Sequence, residues 1–232
     1  MVILQSKLMK LTVLFIVLYL CISTLLYAIV VKSDLELDGI LINKIIFIDA
    51  GHGGKDNGAS VDGVMEDNIN LNISEYLYES LLQEGAYVLM SRTNDYDLAS
   101  MYQKNRKRED LNNRVKYINK SQPDIFISIH LNTYPSNNVK GAQVFYQNND
   151  NSKMLAEYLQ NTLNVFMNNK RKVKRGDYFI LNNTSSTGVL IECGFLSNDD
   201  ERSKLNTSQY QQKLSNNIKK GIIDYFRMRD NS

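Results

Sequence analysis

The chain has 232 residues, 43% of them hydrophobic, and a formal net charge of +2. A charge so near balance removes the electrostatic argument for nucleic-acid binding, and two cysteines are too few for a disulfide framework. No internal repeat or low-complexity linker divides the chain, so beyond an apolar N-terminal stretch its length suits one globular domain with a sizeable core.

That apolar stretch is the first predicted element. Leu11 to Val31 carries no charge over 21 residues, enough to cross a hydrocarbon core of about 30 Å at about 1.5 Å per residue. Lys7 and Lys10 precede it, while Asp34 and Glu36 follow Lys32. This asymmetry predicts a cytoplasmic N-terminus and an exported remainder. Leu26 is large for a cleavage site at Ala28, and Leu20 is large for lipid attachment at Cys21. The expectation is an uncleaved anchor over 1–32, a linker over 33–43 and a folded domain over 44–232.

Ile45-Ile46-Phe47-Ile48 reads as a strand buried on both faces, over about 44–49. It runs into Gly51-His52-Gly53-Gly54, where glycine lets the backbone pass close to a ligand. Ile69, Ile73, Leu77 and Leu81 make one stripe of a helix that Glu66 begins and Gly85 stops. Ala86 to Ser91 is the next strand, and the strand–helix–strand order predicts parallel pairing. Residues 93–106 are polar and read as irregular. The basic cluster from Lys104 to Arg108 reads as a solvated face. Leu111, Val115 and Ile118 mark a helix ending before Pro123, and the apolar strand 124–129 delivers His130.

Residues 141–147 read as a strand, taken as an edge one. Leu155, Leu159, Leu163 and Phe166 lie on a long amphipathic helix. A basic loop over 168–176 follows, then a short strand over 178–181. Val189 to Phe195 is another buried strand, and a final helix runs about 208–227. Strands alternating with helices define an α/β protein: a single mainly parallel sheet with helices on both faces.

The chemistry rests on four side chains at one rim of that sheet. A catalytic zinc site takes three ligands of the histidine and carboxylate type and leaves one position open. His52 and His130 are the two histidines of the chain, and each follows an apolar strand. A lone histidine there is more often a hydrogen-bonded loop residue; two at matching places point to a shared ion. Glu66 starts a helix, where the dipole alone would favour a carboxylate. Glu192 lies inside the run Val189-Leu190-Ile191-Glu192-Cys193-Gly194-Phe195, where an unpartnered carboxylate is costly. One of the two glutamates binds metal and the other handles protons, and spacing leaves open which. Asp49 reads as a bond to the glycine-loop backbone, and Cys193 as a small buried apolar residue.

Taken together, Phe47 to Gly54, Glu66 to Leu71, Arg114 with Asn119, Phe126 to Asn132 and Ile191 to Asn198 resemble the zinc-dependent N-acetylmuramoyl-L-alanine amidases of the third amidase family. A short chain with an apolar anchor and no wall-binding repeats is similar to that family's germination-specific (CwlD-type) subgroup in endospore formers. The resemblance implies that His52, Glu66 and His130 hold zinc and that Glu192 is the catalytic carboxylate. One departure is Ala50, where many relatives have proline. No inserted helix that would plug the site is visible. Arg92, Arg108, Arg114 and Asn132 are expected to contact stem-peptide carboxylates or sugar, with Arg114 equally readable as a helix residue paired to a carboxylate.

The resemblance implies hydrolysis between muramic acid and L-alanine in peptidoglycan, in the subgroup as a step towards muramic-δ-lactam of spore cortex. The apolar run and its flanking charges put the domain, anchored or secreted, outside a Gram-positive membrane; the charge balance gives no nucleic-acid partner, and the sequence leaves open whether a protein partner activates the site. A silent zinc or glycan-binding module and a zinc peptidase cutting within the stem peptide are the other two readings.

Overall fold

The computed structural model describes residues 9–10, 12–25, 39–102 and 104–230. The chain forms two compact units, 1–39 and 40–232. In the first, residues 12–25 are helical. The predicted anchor over 1–32 lies partly outside the described residues, among which no helix is long and apolar enough to cross a membrane.

The second unit is built on one six-stranded sheet. Its strands are β1 (Ile45–Ala50), β4 (Tyr87–Met90), β5 (Ile125–Asn132), β6 (Gln143–Tyr146), β7 (Lys174–Arg175) and β8 (Gly188–Phe195), in the order β4-β1-β5-β8-β6-β7. β4, β1, β5 and β8 are parallel; β6 is antiparallel to β8, and β7 runs parallel to β6. The remaining strands, β2 (Ser60–Val61) and β3 (Val64–Met65), form a small hairpin. The helices are α1 (Glu66–Gln83), α2 (Arg106–Ser121), α3 (Asp150–Met167), α4 (Phe179–Asn183), α5 (Asp199–Leu205) and α6 (Ser208–Asp230). A mainly parallel sheet covered on both faces is the expected architecture.

Alternation along the strands divides the core in two. Ile46 and Ile48, with Ile125, Ile127 and Ile129, pack with Val189 and Ile191 against the apolar stripes of α1, α3 and α6. Phe47, Phe126 and Leu190 point the other way and pack with Val115 and Ile118 of α2 and Ile180 and Leu181 of α4. The polar residues of the same alternation, Asp49, Ser128, His130 and Glu192, follow Phe47, Phe126 and Leu190 along their strands. They therefore reach the sheet's carboxyl rim on the side covered by α2 and α4, where open α/β sheets place their sites.

Two expected elements differ. The segment predicted as a strand over 178–181 is the start of α4, because Ile180 and Leu181 close the second core by turning under the sheet. β6 is not an edge strand: β7 forms inside the basic loop and covers it.

Candidate active site

Three side chains from three different elements converge. His52 comes from the loop after β1, Glu66 from the first position of α1, and His130 from near the end of β5. One ligand atom from each lies within 4.8 Å of the others. Glu66 Oε1 is 3.0 Å from His130 Nδ1 and 3.3 Å from His52 Nε2. The two imidazoles stand edge to face with centroids 4.9 Å apart.

The carboxylate is aimed by backbone. Ala59 N donates to Glu66 Oε2 at 2.8 Å, Leu131 N donates to Oε1 at 3.0 Å, and Asn70 Nδ2 reaches Oε1 at 3.3 Å. Burial raises the Glu66 pKa, but bonds and charge from His130 and His52 outweigh it and hold the carboxyl far below its ordinary value. For His52, burial works against the charged form, yet Glu66 and Asp56 together raise its pKa.

Asp56 is a site residue that the sequence reading missed. Its Oδ2 is 3.0 Å from His52 Nδ1. That contact turns Nδ1 away and leaves Nε2 for a cation, the usual carboxylate–histidine arrangement behind a metal ligand. An aspartate in a polar glycine loop carries no such signal by itself; the clue was its place four residues after the loop histidine.

Glu192 lies directly across from His130 in the β5–β8 register. Its Oε1 is 3.5 Å from the hydroxyl of Tyr178, and its Oε2 is buried with no hydrogen-bond partner. Burial, with Glu66 nearby, pushes its pKa up to about 7, against the lowering effect of His130, Tyr178 and His52. His52, Glu66, His130, Glu192, Tyr178 and Asn132 line one cavity of about 520 Å³. Asn132 thus sits where a substrate contact was expected.

Arg92 and Arg114, two of the residues expected to reach substrate, are 1% and 2% exposed. They hold the loop, and for Arg114 the other reading, a helix residue paired to a carboxylate, is the one observed. Arg92 donates to the carbonyls of Ala50 at 3.0 Å, Gly51 at 3.0 Å and Asp67 at 2.7 Å. Arg114 donates to the carbonyls of Ala50 at 2.7 Å and His52 at 2.6 Å, and pairs with Asp49 and Asp110 at 2.7 Å each. Three successive carbonyls are clamped, and His52 is kept at φ +61°, a left-handed conformation that costs a non-glycine residue about 1–2 kcal/mol. Asp49, expected on the loop backbone, bonds to Arg114 and to Ser128 Oγ at 2.7 Å. Arg108, near the N-terminus of α2, is exposed and does not line the cavity. Cys193 is fully buried, its thiol pushed upward by that burial, as suits an inert packing residue.

The arginine clamp predicts a large stability effect. Arg114→Met leaves the carboxylates of Asp49 and Asp110 without their buried cation, at a cost of about 3–5 kcal/mol. Denaturant unfolding should show that loss, and adding Asp49→Asn should recover part of it. A loss below about 1 kcal/mol would mean that the pairs carry little.

The donor set fits a zinc ion. Two neutral-capable imidazole nitrogens and a carboxylate oxygen share one point, and the orphaned Oε2 of Glu192 is a buried acceptor that nearby positive charge would relieve.

Residues 46–224 match the family model described as N-acetylmuramoyl-L-alanine amidase. The germination-specific N-acetylmuramoyl-L-alanine amidase of Bacillus subtilis (strain 168) is 42% identical over 193 residues, covering 80% of this chain and 81% of that protein. Among solved structures, the CwlD amidase from Clostridioides difficile, in complex with the GerS lipoprotein, superposes with a TM-score of 0.78 at 37% identity, over 80% of this chain and all of that one. An N-acetylmuramoyl-L-alanine amidase from Clostridium difficile 630 gives a TM-score of 0.72 at 31% identity, over 80% of this chain and 97% of that one.

Proposed function

The chain belongs to the N-acetylmuramoyl-L-alanine amidase family, and from that premise we propose that His52, Glu66 and His130 hold one zinc ion while Glu192 carries the protons of the reaction. The enzyme hydrolyses the amide between the lactyl carbonyl of muramic acid and the amine of L-alanine in peptidoglycan. The convergence of three ligand atoms within 4.8 Å beside a buried, unpartnered carboxylate oxygen carries the mechanistic reading.

Zinc at this position supplies Lewis-acid activation of water and charge to offset the developing oxyanion. The chain's own residues do the rest. Asp56 fixes the His52 ring, and the backbone amides of Ala59 and Leu131 fix Glu66. Glu192, buried at the wall of the same cavity, takes a proton from the attacking water. It returns that proton to the departing L-alanine nitrogen, so it ends the cycle as it began. Asn132 lines the same cavity, which supports a contact with the sugar or stem peptide.

The germination-specific relative supports a role in maturation of the spore cortex. The solved relative held by a lipoprotein supports a protein partner for this chain too. The enzyme works outside the cytoplasm, and the apolar run of residues 11–31 supports attachment to the membrane there. Fractionation of producing cells with crosslinking reads both points. A soluble exported form beginning after residue 32, or no crosslinked protein, would count against the anchor or the partner respectively.

The activity itself is tested by mass spectrometry of digested peptidoglycan. Free stem peptides beginning at L-alanine are expected, lost on chelation and restored by zinc. Shorter peptide fragments would indicate a peptidase, and no release would indicate a binding module.

A further inference from the structure

On the amidase reading above, we infer that Tyr178 is a positioning residue for Glu192: its hydroxyl holds Oε1 and so fixes the orientation of the carboxylate at the cavity wall.

The two carboxylate oxygens are in different situations. Oε1 has the Tyr178 hydroxyl at 3.5 Å, and Oε2 is buried with no partner. Restraining one oxygen fixes the plane of the carboxylate, and with it the direction of the second oxygen. The separation is long for an O–H···O bond, and catalytic hydrogen bonds commonly tighten only with substrate in place.

The ring is built into its position. It meets Phe145 of β6 edge to face, with centroids 5.1 Å apart. Gly176 makes room for the ring and its neighbours: a Cβ there would stand 2.8 Å from Cδ2 of Tyr178 and from Cδ1 of Leu181, and 3.0 Å from Cβ of Phe145. Tyr178 also occupies the N-cap of α4, whose Ile180 and Leu181 are buried in the second core. The backbone that carries the hydroxyl is therefore anchored on both sides of the residue.

The hydroxyl has a fixed role. Burial and the facing Glu192 carboxylate push the phenol above its ordinary value, so it stays protonated at neutral pH and donates. A hydrogen bond to the ionised carboxylate favours that form. Around Glu192, Glu66 opposes ionisation while His130 and His52 favour it, and these groups remain when the hydroxyl is removed.

The test uses the full chain, zinc-loaded, on peptidoglycan, with Glu192→Gln assayed in parallel. Tyr178→Phe keeps the ring and its packing. Its kcat is expected to fall roughly tenfold, the weight of one hydrogen bond to a charged group, with KM unchanged, bound zinc unchanged and the acidic limb of the kcat profile moved to higher pH. A parental kcat and pH limb in Tyr178→Phe, with Glu192→Gln inactive, would overturn the positioning role alone. So would a raised KM at parental kcat, which would make Tyr178 a substrate contact. Parental turnover in Glu192→Gln would instead overturn the mechanism on which the inference rests.

Discussion

Glu192→Gln lowers turnover by about 100- to 10,000-fold, the span that a positioned acid–base group contributes, while bound zinc stays at the parental level. The geometry separates the two effects. Glu192 is not among the three residues whose ligand atoms converge, so removing its charge leaves the metal's donors in place. Glutamine has the same shape but cannot shuttle the proton. Release of stem peptides at the parental rate would refute the assignment.

The same substitution has an opposite effect on stability, with a defined pH window. In the metal-free protein Glu192 titrates near 7 against an ordinary 4.5, so between those values the folded state binds more protons than the unfolded one. Stability then falls as pH rises, by about 1.4 kcal/mol per unit, and the loss is complete above about pH 7. Metal-free Glu192→Gln should therefore match the parent near pH 4 and exceed it by about 3 kcal/mol at pH 8. Glu66 and Asp49 act the other way: their depressed pKa values add stability above the ordinary carboxylate range, and it is lost on acidification. Melting curves of chelated parent and variant across pH 4–8 separate the contributions, because only the Glu192 term differs between the two proteins.

Much of this site is legible in the sequence because hydrophobic runs locate strand ends. His52 and His130 each follow such a run, and Glu66 precedes a clear helical stripe, so all three map to one rim before any coordinates are known. What spacing cannot supply is the division of labour between two glutamates. That depends on depth: Glu66 meets two imidazoles, whereas Glu192 sits across from His130 with one oxygen bare. Arginine burial is equally invisible. The carboxylate pairing of Arg114 is one of two readings its place on a helix allows, but only the tertiary fold brings backbone carbonyls of the glycine loop around Arg92 and Arg114. Tyr178 to Leu181 has strand-like composition, but its place above an uncovered sheet face wins over local preference. The β2–β3 hairpin is absent from the sequence reading, although Asp62-Gly63 suits the positive φ values both residues adopt, +50° and +77°. Its strands are two residues each, too short to show an alternating pattern.

Gly51→Ala, the addition of one methyl group, should reduce zinc affinity by about 100-fold or more and activity with it. The reason is space. A Cβ on Gly51 would stand 2.7 Å from Nδ1 of His130, and closer still to Cε1 and Nε2 of the same ring. The loop cannot retreat to admit it: the Gly51 amide donates to Ile129 at 3.0 Å, and its carbonyl accepts from Arg92 at 3.0 Å and Asn70 at 3.2 Å. The imidazole must move instead, and Nδ1 leaves the point it shares with Glu66 and His52. Loss of a first ligand exceeds the 10- to 100-fold effect typical of outer partners. Gly58 serves Glu66 in the same way, since a Cβ there would meet Oε2 of that carboxylate at 2.5 Å. Competition for zinc against a chelator of known affinity measures the effect for each variant. His130→Ala sets the scale, because it removes the ligand outright while relieving the crowding. If Gly51→Ala binds zinc as tightly as the parent, His130 is not one of the ligands or the loop yields more than its three bonds allow. If it matches His130→Ala, the methyl group has cost the site that imidazole, which places the metal beside the glycine loop and nowhere else in the cavity.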